Sequence, residues 1–191
     1  MTAKTAKAAK TEKEQTLLII KPDAVRDNLQ ADILSHLEAH GLKPVFTQAV
    51  IPSRDILNRH YDFDDAWRRK VGESALKTCR QENDDPVAMY GSDDPVDIGE
   101  AVRQRLVDFM ASGEVLAMVL EGEDVVLRVR ELTGATQPAD AAPETLRGKF
   151  GADTFLQAHR EKRSLENIVH SSETPEEAHR ELSLWFPKLS A

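Results

Sequence analysis

The chain has 191 residues, 40% hydrophobic and 30% charged, which is enough for one folded unit with a real core and far from the composition of a disordered chain. Its net charge of −8, with four lysines crowded into the first 16 residues, leaves an acidic body that repels nucleic-acid backbone while still allowing a local cluster of cations. No apolar run approaches the roughly 20 residues of a membrane span, Met1–Lys10 lacks the apolar segment of a secretory signal, and the single cysteine, Cys79, excludes an intrachain disulfide and a multi-cysteine metal site. The expected address is the cytoplasm.

Residues 1–14, rich in Lys and Ala without apolar periodicity, read as a flexible tail. Thr16–Ile20 is a short continuous apolar run halted by Lys21-Pro22-Asp23, the pattern of a buried strand that ends at a proline. Ile33, Leu34 and Leu37 share a helical face up to His40, Gly41 supplies the stop, and Val45–Ile51 reads as a second strand. Pro52-Ser53 opens a helix through Tyr61.

Residues 62–95 break this rhythm. They are polar, end in two Pro-containing turn clusters, and read as an inserted helical excursion. Helical spacing returns from Val96 to Phe109, Val115–Leu120 reads as a strand, and Val125, Val126, Val129 and Leu132 mark a helix that stops at Gly134. Ala135–Asp153 has little periodicity and reads as a long surface loop, a candidate for function on that ground. Ile168-Val169-His170 is a short apolar stretch, and Thr174-Pro175-Glu176-Glu177 carries the signature of a helix start. The alternation of strands and helices indicates an α/β or α+β layered fold without choosing between them.

Phosphate-binding loops of the GxxxxGK[ST] and GxGxxG types are missing. His36 and His40 share a helical face, but HLEAH lacks the glutamate that HExxH requires, so a solvated helix surface is the better reading. His170 stands apart because it ends an apolar stretch and precedes a capped helix carrying Glu181.

Asn167-Ile168-Val169-His170-Ser171-Ser172-Glu173 resembles the NxxH-[GA]-SD signature of the nucleoside diphosphate kinases, with Ser171 and Glu173 as conservative departures. Further blocks follow that family's order: Ile20-Lys21-Pro22-Asp23-Ala24-Val25, His60-Tyr61, Ser112-Gly113, Val119-Leu120-Glu121-Gly122, Arg130, Gly134-Ala135-Thr136-Gln137-Pro138-Ala139-Asp140, Thr145-Leu146-Arg147-Gly148, and Glu181 before Leu184-Trp185-Phe186. The resemblance implies a single domain over residues 15–187, interrupted by the helical insertion at 62–95 and by a loop insertion near 151–163. It implies a ferredoxin-like sandwich, a four-stranded antiparallel sheet covered by helices, with Ile20 and Ile168 in the sheet.

The resemblance also implies an enzyme that moves the γ-phosphate of ATP or another nucleoside triphosphate to a nucleoside diphosphate, in a ping-pong sequence through phospho-His170. A neutral imidazole suits that task because it can accept and release a phosphoryl group. By resemblance Glu181, directly or through Ser172, fixes the histidine tautomer. Lys21, Arg130 and Arg147 neutralise the migrating group, Tyr61 and Thr136 supply hydroxyls near the phosphates, and Asn167 binds the sugar. Mg²⁺ is expected to arrive on the nucleotide phosphates rather than in a protein cage. The family's base-stacking phenylalanine falls near Val102, so Trp67 or Tyr90 of the insertion becomes a candidate substitute. A homo-oligomer built from dimers is expected, with neither nucleic acid nor membrane as a partner.

Overall fold

A continuous apolar run suits a strand covered on both faces, and β1 (Glu14–Ile20), which leads into the short α1 (Pro22–Arg26), is such a strand. In the computed structural model, which describes residues 13–188, β1 lies inside a four-stranded sheet of order β2-β3-β1-β4. It pairs antiparallel with β3 (Val115–Gly122) on one side and β4 (Val169–Ser171) on the other. Side-chain alternation divides the run between two cores. Leu18 and Ile20 join Met118, Leu120 and Val169 beneath α2 (Gln30–Ala39) and α7 (Val125–Thr133). Leu17 and Ile19 join Ala117 and Val119 against α3 (Arg54–His60), α6 (Pro95–Met110) and α10 (Pro175–Trp185). The four-stranded antiparallel sheet clothed in helices agrees with the fold that the resemblance implies.

Register carries the nucleophile candidate to one face. His170 lies opposite Ile19, so its ring shares a side with the second core, and Val169 opposite Ile20 faces the first. A one-residue slip would exchange the two cores, and each large aliphatic side chain there contributes about 1.5–3 kcal/mol by burial. The fourth strand, β2 (Pro44–Val50), forms a sheet edge and tolerates Pro44 together with a register irregularity between Pro44 and Phe46.

Several expectations are corrected. Residues 1–12 of the expected tail lie outside the described residues, but Glu14 is already in β1, opposite Gly122. The expected loop from Ala135 to Asp153 holds a 3-10 turn (Pro138–Asp140) and α8 (Leu146–Phe150), short elements set by local capping rather than by apolar period. Thr145 Oγ1 caps α8 by accepting from Gly148 N at 3.2 Å. The segment at 151–163, read as a loop, carries α9 (Phe155–Arg160), capped in the same way by Thr154. Ile168 is not a sheet residue: it adopts φ +59 just before β4, a turn conformation that an apolar stretch does not announce.

The excursion at 62–95 is helical, formed by α4 (Asp65–Glu82) and α5 (Pro86–Tyr90). Asp64 caps α4 by accepting from Trp67 N, and Asn83 ends it in the left-handed region. Two glycines allow α4 to touch α6 backbone to backbone. A Cβ on Gly72 would stand 1.8 Å from the Pro95 carbonyl oxygen, and one on Gly99 would stand 2.1 Å from that of Arg68. The α4–α6 pair is therefore a tight seam, laced at its edge by Arg68 and Arg103 on Glu100.

The two interruptions also clasp each other. The buried His159 of α9 meets the Tyr90 hydroxyl at 3.0 Å through Nδ1 and Asp84 Oδ2 at 3.0 Å through Nε2, while Arg160 pairs with Glu82. Sequence reading treats them as separate events, whereas the chain brings them together over one cleft.

Candidate active site

The strand end of β1 and the approach to β4 are joined by polar contacts. Lys21 N donates to Ile168 O at 2.8 Å, and the buried Asp23 carboxylate accepts from Ile168 N at 2.9 Å. Both polar groups of a single β-branched residue are thus gripped by the Lys-Pro-Asp segment. Asn167 O meanwhile accepts from Val169 N at 2.7 Å, forming a three-residue turn with positive φ at its centre. Such a conformation costs on the order of 1–3 kcal/mol and needs surrounding structure to hold it. Its effect is to bring Asn167 and His170 into one cleft on either side of the turn.

The cleft measures about 1040 Å³ and brings together nine of the ten residues expected at the site; Ser172 lies just behind it. His170 Nε2 lies 3.1 and 3.0 Å from the two oxygens of Glu181, whose Oε2 also accepts from Ser172 Oγ at 2.6 Å. Ionised Glu181 only accepts, so the His170 proton is on Nε2 and the lone pair is on Nδ1, which has no hydrogen-bond partner among the described residues. Burial and the nearby charges of Lys21, Arg147 and Arg130 lower the His170 pKa to about 3, so the ring is neutral in ordinary buffers. Burial raises the pKa of Glu181, opposed by His60, Ser172 and Arg180.

Lys21 Nζ donates to Asn167 Oδ1 at 2.6 Å, and Asn167 Nδ2 donates to Thr136 O at 2.8 Å. Burial and then the Arg147 charge lower the Lys21 pKa to about 7, with Asp23 pulling the other way. Arg147 is itself buried, and its guanidinium donates to Asn167 O, Gly134 O and Val169 O. Burial and the Arg130 charge bring its pKa to about 10. Arg130 is more open and pairs with Glu173 at 2.8 Å. Tyr61 is buried, with its hydroxyl unpartnered among the described residues and its pKa raised by burial and by Glu181. Thr136 is exposed and Val102 half-buried on the cleft wall.

Three residues belong to this site without having been assigned a role from the sequence. Asp23 grips the turn; an acid directly after a strand-ending proline is the signal the sequence offers. His60 packs its ring edge-on against His170, 4.5 Å between centroids, and accepts from Trp185 Nε1 at 3.2 Å. Burial above all lowers its pKa to about 3, so it is a neutral wall of the pocket. Glu173 is the partner of Arg130, which its place in the motif did not reveal.

His60, His170 and Glu181 bring potential metal-ligand atoms within 4.8 Å of one another. That set is nitrogen-rich and buried, a poor match for Mg²⁺, which takes oxygen ligands and keeps several waters. Among the described residues no helix is long and apolar enough to cross a membrane.

Comparisons with known proteins identify the family. The sequence profile of a family described as nucleoside diphosphate kinase matches residues 14–69 and 95–190. A nucleoside diphosphate kinase of Pyrobaculum aerophilum is 42% identical over 173 residues, 91% of this chain and 94% of that one. One from Caldanaerobacter subterraneus subsp. tengcongensis is 35% identical, over 92% and 96% of the two chains. Among solved structures, an NDP kinase from Pyrobaculum aerophilum superposes with a TM-score of 0.88 at 39% identity, covering 94% of this chain and 98% of its own. A Borrelia burgdorferi nucleoside-diphosphate kinase, described as a transition-state mimic with bound vanadate and ADP, has a TM-score of 0.72 at 30% identity, covering 93% and 89%. This chain belongs to the nucleoside diphosphate kinase family.

Proposed function

We propose that the protein exchanges γ-phosphoryl groups between nucleoside triphosphates and diphosphates through a phosphoenzyme on His170 Nδ1. One observation carries the reading: Glu181 takes the Nε2 side of the ring, which leaves the Nδ1 lone pair in a cleft lined by Lys21, Arg130 and Arg147. The Nδ1 lone pair attacks the γ-phosphorus, the bond to the bridging oxygen breaks, and its electrons leave on the nucleoside diphosphate. No proton needs to move. The positive charge gained by the ring is balanced by Glu181, and the incoming diphosphate reverses the same step.

The other assignments follow from charge and reach. Arg130 exchanges Glu173 for the migrating group, and Tyr61, kept protonated, donates to a phosphoryl oxygen. Arg147 contributes charge while its donors hold the Asn167–Val169 turn in shape, so it positions as well as neutralises. Thr136 and Asn167 meet the phosphate–sugar part of the nucleotide, and Ser172 steadies Glu181. Mg²⁺ would arrive with the nucleotide phosphates and would neutralise part of their charge, without a cage of protein ligands. Val102 contributes an apolar surface for the base.

Assembly into a homo-oligomer built from dimers fits the apolar exposure at the sheet edge, where Val45 is 58% and Ile51 67% accessible. Light scattering tests it. The reading involves neither nucleic acid nor membrane and places the enzyme in the cytoplasm. His170→Ala tests the chemistry: with γ-labelled ATP the wild type should retain acid-labile label and the variant none, with exchange reduced by about four orders of magnitude or more. Equal labelling and exchange in the variant would sink the proposal.

A further inference from the structure

A nucleotide whose γ-phosphate meets His170 must extend its base outward along the cleft, away from the cations. Besides its charged residues the cleft has apolar lining for the base: Val102 and Leu106 come from α6, Phe155 and Ala158 from α9, and Leu165 from the segment leading to Asn167. Stacking requires an aromatic ring with an open face. Trp67 gives one face to Phe63, 3.9 Å between centroids at 22°, and Tyr90 gives one to the Arg105 guanidinium at 4.5 Å and is held through its hydroxyl by His159. Phe155 is 53% accessible, lines the cleft, and makes no aromatic or cation–π contact among the described residues.

Phe155 is also held in place. Its backbone N donates to Gln137 Oε1 at 2.7 Å, and Gln137 directly follows Thr136, whose carbonyl receives the Asn167 amide. From the other end, the clasp of His159 on Tyr90 and Asp84 fixes the same short helix. An exposed apolar ring, tied to the phosphate end by neighbouring residues, is organised in advance for a flat ligand.

We propose that Phe155 provides the aromatic face on which the nucleobase stacks, making the segment at 151–163 rather than Trp67 or Tyr90 the substitute for the ring that Val102 replaces. The inference rests on the nucleotide-exchange reading above. Every nucleobase has a π face and Phe155 offers no edge to read, so it contributes affinity without choosing among bases.

The test compares two ligands that differ only in the base. The dissociation constants of ADP and ribose 5-diphosphate are measured by calorimetry for wild type, Phe155→Ala and Phe155→Leu, each checked for its fold by circular dichroism. Loss of a stacking face should weaken ADP by about 5-fold to about 150-fold. Ribose 5-diphosphate should change by less than about twofold. Because the leucine variant also lacks the ring, it gives the same comparison if the alanine variant is unstable. Unchanged ADP affinity, or equal weakening of both ligands, overturns the proposal. Binding is read without turnover, so a missing phosphohistidine would count against the exchange reaction and leave this result standing on its own.

Discussion

The floor and the outer wall of the cleft are built on different principles. The floor, from Lys21 through the Asn167–His170 turn to Glu181, is buried and held by hydrogen bonds in which one group often has several partners. The wall, made by α4, α5 and α9, is half exposed and tied by ion pairs and one histidine clasp. Surface pairs of that kind contribute about 0–1 kcal/mol each, whereas unpairing a buried polar group costs about 1–3 kcal/mol. The floor therefore holds one geometry, and the wall can vary while the chemistry beneath it stays the same.

The largest contrast should come from the two arginines. Arg147→Ala removes the guanidinium from three backbone carbonyls, of which Asn167 O keeps only Val169 N, and should destabilise the protein by about 3 kcal/mol or more in denaturant titration, with turnover falling as well. Arg130→Ala removes a half-exposed pair and should cost less than about 1 kcal/mol, while lowering turnover by about 10²-fold to 10³-fold. Equal stability losses in the two variants would erase the distinction between a buried, multiply bonded cation of the floor and an open one beside it.

A smaller effect is expected where the wall joins the body. Gly99→Ala places a Cβ 2.1 Å from the Arg68 carbonyl oxygen and must push α4 away from α6. The Michaelis constant should rise by about tenfold as the wall shifts, while labelling of His170 by ATP survives. Loss of labelling would show that the wall supports the floor.

A pH slope is the most graded of the predicted effects. Lys21 is protonated only below about 7 in the free protein, so kcat/KM should fall by up to about tenfold per pH unit above that point as the cleft loses a charge. His170, lowered to about 3, adds no acid limb until that range. In the absence of nucleotide, stability should rise with pH between about 7 and 10.5, because the unfolded chain keeps a lysine proton that the folded one has released. Lys21→Arg, always charged, should flatten the upper limb; a limb that persists in that variant belongs to another group.

What the sequence revealed follows the same division. The apolar run at Thr16–Ile20 and the capped start at Thr174 are local signals, and both appear in the structure within two residues. His170, Lys21 and the arginines were legible because a motif keeps their spacing. Their connections were not, since they join residues far apart in the chain: Asp23 to Ile168, Arg147 to Val169, and His159 to Asp84. The positive φ of Ile168 is imposed by those contacts against the preference of a β-branched residue, so no propensity could have indicated it. The open ring of Phe155 stands out against Trp67 and Tyr90 by tertiary contacts that the sequence does not carry.

The central claim is that Glu181 directs the phosphoryl group to one particular nitrogen. Wild-type protein phosphorylated by labelled ATP, quenched and digested in alkali, yields a phosphohistidine whose isomer can be identified by chromatography against both standards. The geometry predicts the Nδ1 isomer, because Nε2 faces Glu181 at 3.0 Å. Recovery of the Nε2 isomer, or of label on any residue other than His170, would contradict it.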